Sequence, residues 1–246
     1  MKKIEALEVI SNFSYFKSDD LKKIIGSERM TYVYLKRWIG QKKIVKLPFF
    51  FYSPIDKDTG KYKANLLEIA CKIEKDAFLC GVTACKIHGL QVPETNIIYV
   101  VTKKGFNVKE FDGWIFKPRF MTDTFCIVEK DNIRYTDYTR TVIEMIRDFD
   151  KYMSLEGFLT FLKSVNTLDS SEVNKVLEII DSKIVFQKTG YLIDYGLLNV
   201  DKSDYLIEFC LKNIGSSRRF FCKEAKVEVK YNSKWQMVIP EGLSEI

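Results

Sequence analysis

Glu228-Val229-Lys230 has the Glu-x-Lys form in which many metal-dependent nucleases hold Mg2+ with a carboxylate and place the attacking water with a lysine. Such a site needs a second acid, for which Asp194, Asp201 and Asp204 are candidates, although acids and lysines also alternate on any exposed strand face. His88, the single histidine, follows Cys85 by three residues. No spacing pairs it with a nucleophile, so a hydrogen-bonded structural role beside Gly89 is the simpler reading. Cys71, Cys80, Cys85, Cys126, Cys210 and Cys222 form no CxxC pair and read as reduced thiols. The chain also lacks a Walker loop and a GxGxxG, and no metal or cofactor is expected.

A different chemistry gathers at the N-terminal end. Residues 1–52 hold eleven Lys and Arg against five Asp and Glu, an excess of six that equals the whole-chain net charge of +6. Of the 39 basic and 33 acidic residues, 28 of each sign remain elsewhere. A positive excess confined in this way suits a polyanion, most commonly a phosphate backbone.

The elements that must position these cations read as a winged helix-turn-helix. Ile4, Leu7 and Ile10 give one apolar helical face ending near Asn12, with Phe13 and Phe16 closing the core beneath it. Ser18 is an expected N-cap before Asp19 and Asp20, and Leu21, Ile24 and Ile25 form the buried side of a short helix that Gly26 breaks. Ser27 then caps a third helix. Advancing about 100° per residue from Arg29 sets Met30, Tyr34, Leu35 and Trp38 to the back, while Arg29, Tyr32, Lys36 and Gly40 share the front. An apolar back and a front of Arg, Tyr and Lys suit a helix that enters a major groove. Residues 41–47 and 49–52 read as two short strands around Pro48, a wing whose Lys42, Lys43 and Lys46 would touch phosphates. The expected DNA-binding set is therefore Ser27, Arg29, Tyr32, Lys36, Arg37, Lys42, Lys43 and Lys46. The lesser alternative is that the same helices make a protein-binding adaptor whose lysines are only solvated. The apolar run Phe49–Tyr52 reads as a buried strand in preference to a dimer contact.

The polar stretch Asp56–Lys61 marks a boundary, giving an N-terminal domain over 1–60 and a larger α+β domain over 61–246. Leu66, Leu67, Ile69, Ala70 and Ile73 have helical spacing, and Phe78–Leu90 reads as a small-residue helix ending at Gly89. Asn96–Thr102, Trp114–Phe116, Phe125–Val128 and Ile133–Thr136 read as strands of a mixed sheet. Helical periods follow around Val142–Ile146, Leu155–Leu162, Val173–Ile180, Tyr191–Leu198 and Leu206–Leu211, then strands at Lys226–Lys230 and Trp235–Ile239. The start has no long apolar run and no stretch of about 18 apolar residues occurs, so neither a signal peptide nor a membrane span is expected, and the chain is expected to be cytoplasmic.

Gly81-Val82-Thr83-Ala84 followed by His88-Gly89-Leu90 resembles the AbiEi family of antitoxins, the DNA-binding half of type IV toxin-antitoxin systems. The winged helix ahead of it, the arginine-led Thr139–Ile146 helix, Gly190-Tyr191-Leu192 and the terminal Tyr231-Asn232-Ser233-Lys234-Trp235 follow in the family's order over nearly the whole length. The resemblance implies a transcriptional autorepressor that binds double-stranded DNA at repeats in its own promoter. It also implies a functional partner, a nucleotidyltransferase-like toxin, counteracted without a tight complex, and phage resistance as the setting. The expectation is a non-enzymatic protein. The alternatives are a Mg-dependent DNA nuclease using Glu228 and Lys230 and a protein-interaction adaptor without DNA affinity. Oligomeric state, operator and the C-terminal residues that carry antitoxicity are left open.

Overall fold

The computed structural model describes residues 3–120, 124–223, 229–240 and 243, with an α+β fold. In chain order the elements are α1 (Lys3–Ser11), β1 (Phe16–Lys17), α2 (Ser18–Ile25), α3 (Glu28–Gly40), β2 (Ile44–Lys46), β3 (Phe51–Pro54), α4 (Leu66–Cys71), β4 (Phe78–Leu79), α5 (Gly81–Ile87), β5 (Ile97–Val101), β6 (Lys109–Phe111) and β7 (Trp114–Arg119). They continue as β8 (Ile127–Lys130), β9 (Ile133–Thr136), α6 (Tyr138–Asp148), α7 (Leu155–Lys163), α8 (Ser170–Ile180), α9 (Lys183–Asp194), α10 (Ser203–Asn213), β10 (Arg219–Phe220), β11 (Val229–Asn232) and β12 (Met237–Pro240).

The chain forms two compact units. The first comprises Met1–Leu79, Asn96–Asp123 and Glu129–Arg134. Its N-terminal core joins Ala6 and Ile10 of α1, Phe16 of β1, Leu21 of α2, Leu35 and Trp38 of α3 and Ile44 of β2. The three helices close over a small sheet of order β1-β3-β2, with Phe16 opposite Tyr52 and Lys46 opposite Tyr52 across antiparallel pairs. Phe16 is buried as expected, but Phe13 is 37 % exposed, because α1 ends at Ser11 and only the two-residue strand after it turns back to the sheet. The α2 cap sits one residue early, at Lys17, whose N–H donates to the Asp20 carboxylate at 3.0 Å. Gly26 ends α2 at φ +79°, a left-handed turn that glycine adopts without strain, and its N–H closes onto Lys22 O at 2.8 Å.

The same unit holds β4 to β7 of a larger sheet, whose order is β6-β7-β5-β4-β9-β8 with β5 and β7 parallel. The compact unit therefore does not end near residue 60. Phe49, just before β3, meets Phe106 and Phe116 edge-on at 5.0 and 5.5 Å, and the Tyr62 hydroxyl donates to Asp112 at 3.0 Å. The expected helix over Phe78–Leu90 divides: Phe78-Leu79 pairs with β5, and helix begins only at Gly81.

The second unit comprises Cys80–Thr95, Thr124–Val128 and Tyr135–Ile246. Val142, Ile143 and Ile146 of α6, Phe158 and Phe161 of α7 and Leu192 of α9 are buried in it, and Phe149 stacks on Phe158 at 4.0 Å. A sheet of order β10-β12-β11 lies near the C-terminal end of the chain.

Candidate nucleic-acid interface

Ser27 is the N-cap of α3, its hydroxyl accepting from Met30 N at 3.4 Å. The buried back of the helix is Thr31, Leu35 and Trp38, with Tyr34 half-buried and stacked on Trp38 at 5.4 Å. Met30 instead lies 39 % exposed: at about 100° from Arg29 it falls on the flank of the helix, and the shorter Thr31 packs inward, its hydroxyl donating to Ser27 O at 2.8 Å.

The outward face carries Arg29, Tyr32, Val33, Lys36 and Arg37, all exposed, with Tyr32 at 65 %. Lys22 of α2 is paired to Glu28 at 2.8 Å, and that hydrogen bond raises the lysine and lowers the glutamate from their ordinary pKa values. Among the described residues no carboxylate pairs with Arg29, Lys36, Arg37, Lys42, Lys43 or Lys46, so these cations are free to meet an anion.

Helix α3 runs directly into the hairpin. Gln41 N–H and Lys43 N–H donate to Arg37 O and Trp38 O, both at 2.9 Å, and Lys42 turns the chain at φ +53°. Lys42, Lys43 and Lys46 are exposed, and the Lys46 ammonium sits 5.9 Å from the Phe50 ring centroid. Burial of Tyr52 on β3 raises its phenol above the ordinary pKa, with a smaller contribution from Tyr32 of α3. Tyr52 stacks on Phe16 at 5.7 Å, which fixes the hairpin to the core.

No family model matches the chain. A stretch of 170 residues is 25 % identical to the chromosomal replication initiator protein DnaA of Nautilia profundicola, covering 63 % of this chain and 37 % of that protein. The chain thus spans little more than a third of its curated relative's length. The crystal structure of the RV2827C protein from Mycobacterium tuberculosis is similar over 95 % of this chain and 89 % of its own, with a TM-score of 0.68 and 11 % identity. At that identity the likeness establishes the fold alone.

Several of the other residues singled out by type have structural partners. His88 Nε2 lies 2.9 Å from Thr136 O, and its ring meets Tyr135 and Tyr138 edge-on at 5.1 and 5.4 Å. Cys85 is buried, and burial pushes its thiol far above the ordinary value. Glu228 lies outside the described residues, whereas Lys230 is exposed on β11. Asp194 binds the Lys234 ammonium with both oxygens at 2.7 Å and accepts from the Trp235 indole at 2.9 Å. Asp201 accepts from Ser170 N at 2.7 Å, and Asp204 sits in the first turn of α10. Arg140 pairs with Glu144 at 2.8 Å inside the core. Arg218 covers the Tyr231 ring at 4.9 Å, Arg219 is in β10, and Lys223 is exposed beyond it. Among the described residues no three His, Cys, Asp or Glu side chains gather as a metal site, and no helix is long and apolar enough to cross a membrane.

Reading by type passed over Val33 and Phe50. Val33 is 49 % exposed and, at about 40° from Arg29 on the wheel, lies between Arg29 and Arg37, so the period itself carried the signal. An outward apolar side chain there fits contact with a thymine methyl.

Proposed function

We propose that this chain is a cytoplasmic, DNA-binding transcriptional autorepressor that acts as the antitoxin of a type IV toxin-antitoxin system. In this reading the N-terminal elements are a winged helix-turn-helix: α3 enters the major groove and the β2–β3 hairpin lies over the flanking backbone. The observation that carries it is the outward face of α3, where Arg29, Tyr32, Lys36 and Arg37 stand exposed without carboxylate partners and run on into a hairpin bearing Lys42, Lys43 and Lys46. Arg29 and Tyr32 specify bases; the lysines hold the backbone. The similarity of part of the chain to a chromosomal replication initiator agrees with a partner on the chromosome. The antitoxin role rests on the AbiEi resemblance. Its landmarks Arg140, Gly190 and Trp235 are all buried in the second unit, which fits a scaffold there for counteracting a nucleotidyltransferase-like toxin.

The test is fluorescence anisotropy with the chain's own upstream duplex and a scrambled duplex at near-physiological salt with Mg2+ present. A preference of roughly a thousandfold for its own promoter is expected. Equal affinity for both sinks the repressor reading, and cleavage of the duplex replaces it with the nuclease.

A further inference from the structure

Three consecutive phenylalanines at the hairpin tip have three different environments. Phe49 is anchored edge-on to Phe106 and Phe116. Phe51 is buried at 2 % exposure and meets Tyr15 at 5.5 Å. Phe50 between them is 76 % exposed, and the reading of Phe49–Tyr52 as a buried strand fails over its first half: Phe49 and Phe50 form a turn, and the strand begins at Phe51.

The backbone that puts Phe50 outside is strained. Phe49 and Phe50 have φ of +59° and +63°, a left-handed conformation that glycine or asparagine adopts easily and a bulky side chain does not. Such a conformation persists in a bulky residue only where the surroundings hold it in place. Here they do. Pro48 fixes the entry, Leu47 N–H closes on Phe51 O at 2.9 Å, and the two flanking rings are locked in apolar contacts. The backbone that presents the ring is thus pre-positioned, which lowers the ordering cost of binding. The Lys46 ammonium sits 5.9 Å from its ring centroid, and Lys42 and Lys43 stand exposed at the base of the same hairpin, next to α3.

An apolar ring on a held tip with a lysine beside it has the composition of a wedge that enters a nucleic-acid duplex through the minor groove, where Phe, Leu, Ile and Met partly unstack a base step while an adjacent cation holds the phosphate. We infer that Phe50 is such a wedge: when α3 occupies the major groove, the Phe50 ring inserts between two base pairs of the flanking minor groove and opens one step. This rests on the DNA-binding reading above and adds to it a second mode of recognition, the deformability of the step that is opened.

The experiment uses the full chain and duplexes of its own upstream sequence carrying 2-aminopurine at successive adenines, reading anisotropy and 2-aminopurine fluorescence on the same sample. The wild-type chain is expected to bind and to raise fluorescence severalfold at one step, the signature of unstacking. Phe50→Ala is expected to abolish that rise and to weaken binding roughly tenfold, whereas Phe50→Leu, itself a wedge residue, keeps the rise. Lys46→Ala is expected to weaken binding while the fluorescence rise at saturation persists. Circular dichroism of Phe50→Ala checks that an exposed position leaves the fold intact. Tight binding with no fluorescence rise at any step overturns the wedge and leaves the DNA-binding reading standing; absence of binding to any duplex removes both. A wild-type dimer in sedimentation that Phe50→Ala converts to monomer, with unstacking unchanged, assigns Phe50 to self-association and overturns the wedge.

Discussion

Trp235 is seated along one face of α9 with Gly190 at the centre of its footprint. The indole N–H donates to Asp194 at 2.9 Å, the Trp235 carbonyl accepts from Gln187 Nε2 at 3.0 Å, and a Cβ on Gly190 would collide with the ring and come within 2.8 Å of Cys210 Cβ. The fully buried indole therefore needs a glycine, one helical turn from each of its polar anchors. Gly190→Ala should destabilise the chain by about 2–3 kcal/mol through overpacking, and Trp235→Ala by about 3–5 kcal/mol through the cavity it leaves. Urea denaturation of both and of the double variant checks this. The double should cost clearly less than the sum, since the added methyl then meets empty space. Additive losses would show that the two residues do not share this contact.

Arg140 and Glu144 form a core ion pair, with side chains 1 % and 5 % exposed. Removing one partner strands a charge, so Arg140→Ala should cost about 3–5 kcal/mol. Replacing both together, Arg140→Met with Glu144→Leu, should recover most of that loss. A double variant as unstable as the single in thermal melts would mean that the pair's other contacts, such as Arg140 to Phe125 O, dominate.

Lys188 of α9 is buried between the Phe149 and Phe221 rings and donates to Arg147 O at 3.0 Å. Burial lowers its pKa from 10.5 to about 8, against the pull of Asp150, Asp148 and Cys222 and with the help of Lys151. The folded state thus binds its proton less tightly than the unfolded state. The penalty is fully present below about pH 8 and disappears as the pH rises to 10.5. It amounts to about 3 kcal/mol. Cys71 and Cys210, pushed by burial to about 11 and about 12, act in the opposite sense, because stability they contribute below pH 9 is lost above it. The clean quantity is therefore the stability difference between Lys188→Met and wild type at each pH. That difference should favour methionine most at pH 7 and shrink by about 3 kcal/mol towards pH 10.5. A difference flat with pH would place the unfolded and folded pKa values together.

Arg29 and Lys43 should separate in DNA binding. Arg29→Ala is expected to cost about 1–3 kcal/mol on the specific duplex and much less on random DNA, whereas Lys43→Ala weakens both alike and reduces the salt slope by about one. Equal losses for both variants on both duplexes would remove the division between reading and holding.

The helices around the proposed interface were legible because each carried its own start or stop: Ser27 at the cap, Gly26 in a left-handed turn, and Leu35 and Trp38 one turn apart on the buried side. Periodicity failed where side-chain size decided, as at Met30, which stays out while Thr31 goes in. It also missed strands too short to show a period. The two residues of β1 pair with β3, and those of β4 lie between β5 and β9, all of them partners distant in sequence. The β6–β7 hairpin, by contrast, left a signal that was not used: Asp112-Gly113, at φ +50° and +77°, is a strong turn pair between Lys109–Phe111 and Trp114–Arg119. The free cations of the interface were plain in the charge count. The exposure of Phe50 was not, because it depends on Phe106 and Phe116, far along the chain, capturing its neighbour Phe49.

The first compact unit is assembled from three separate stretches of chain, the last ending at Arg134. On a ribosome adding about 5–20 residues per second, the N-terminal helices emerge well before the strands that complete their unit. During that interval Phe49 has neither of its aromatic anchors, and the lysine-bearing hairpin is made before its tip can be held. A nascent chain halted before Phe106 should therefore present its cations without the held tip, so on the proposed reading the Phe50 wedge would be completed after the helix that reads the groove.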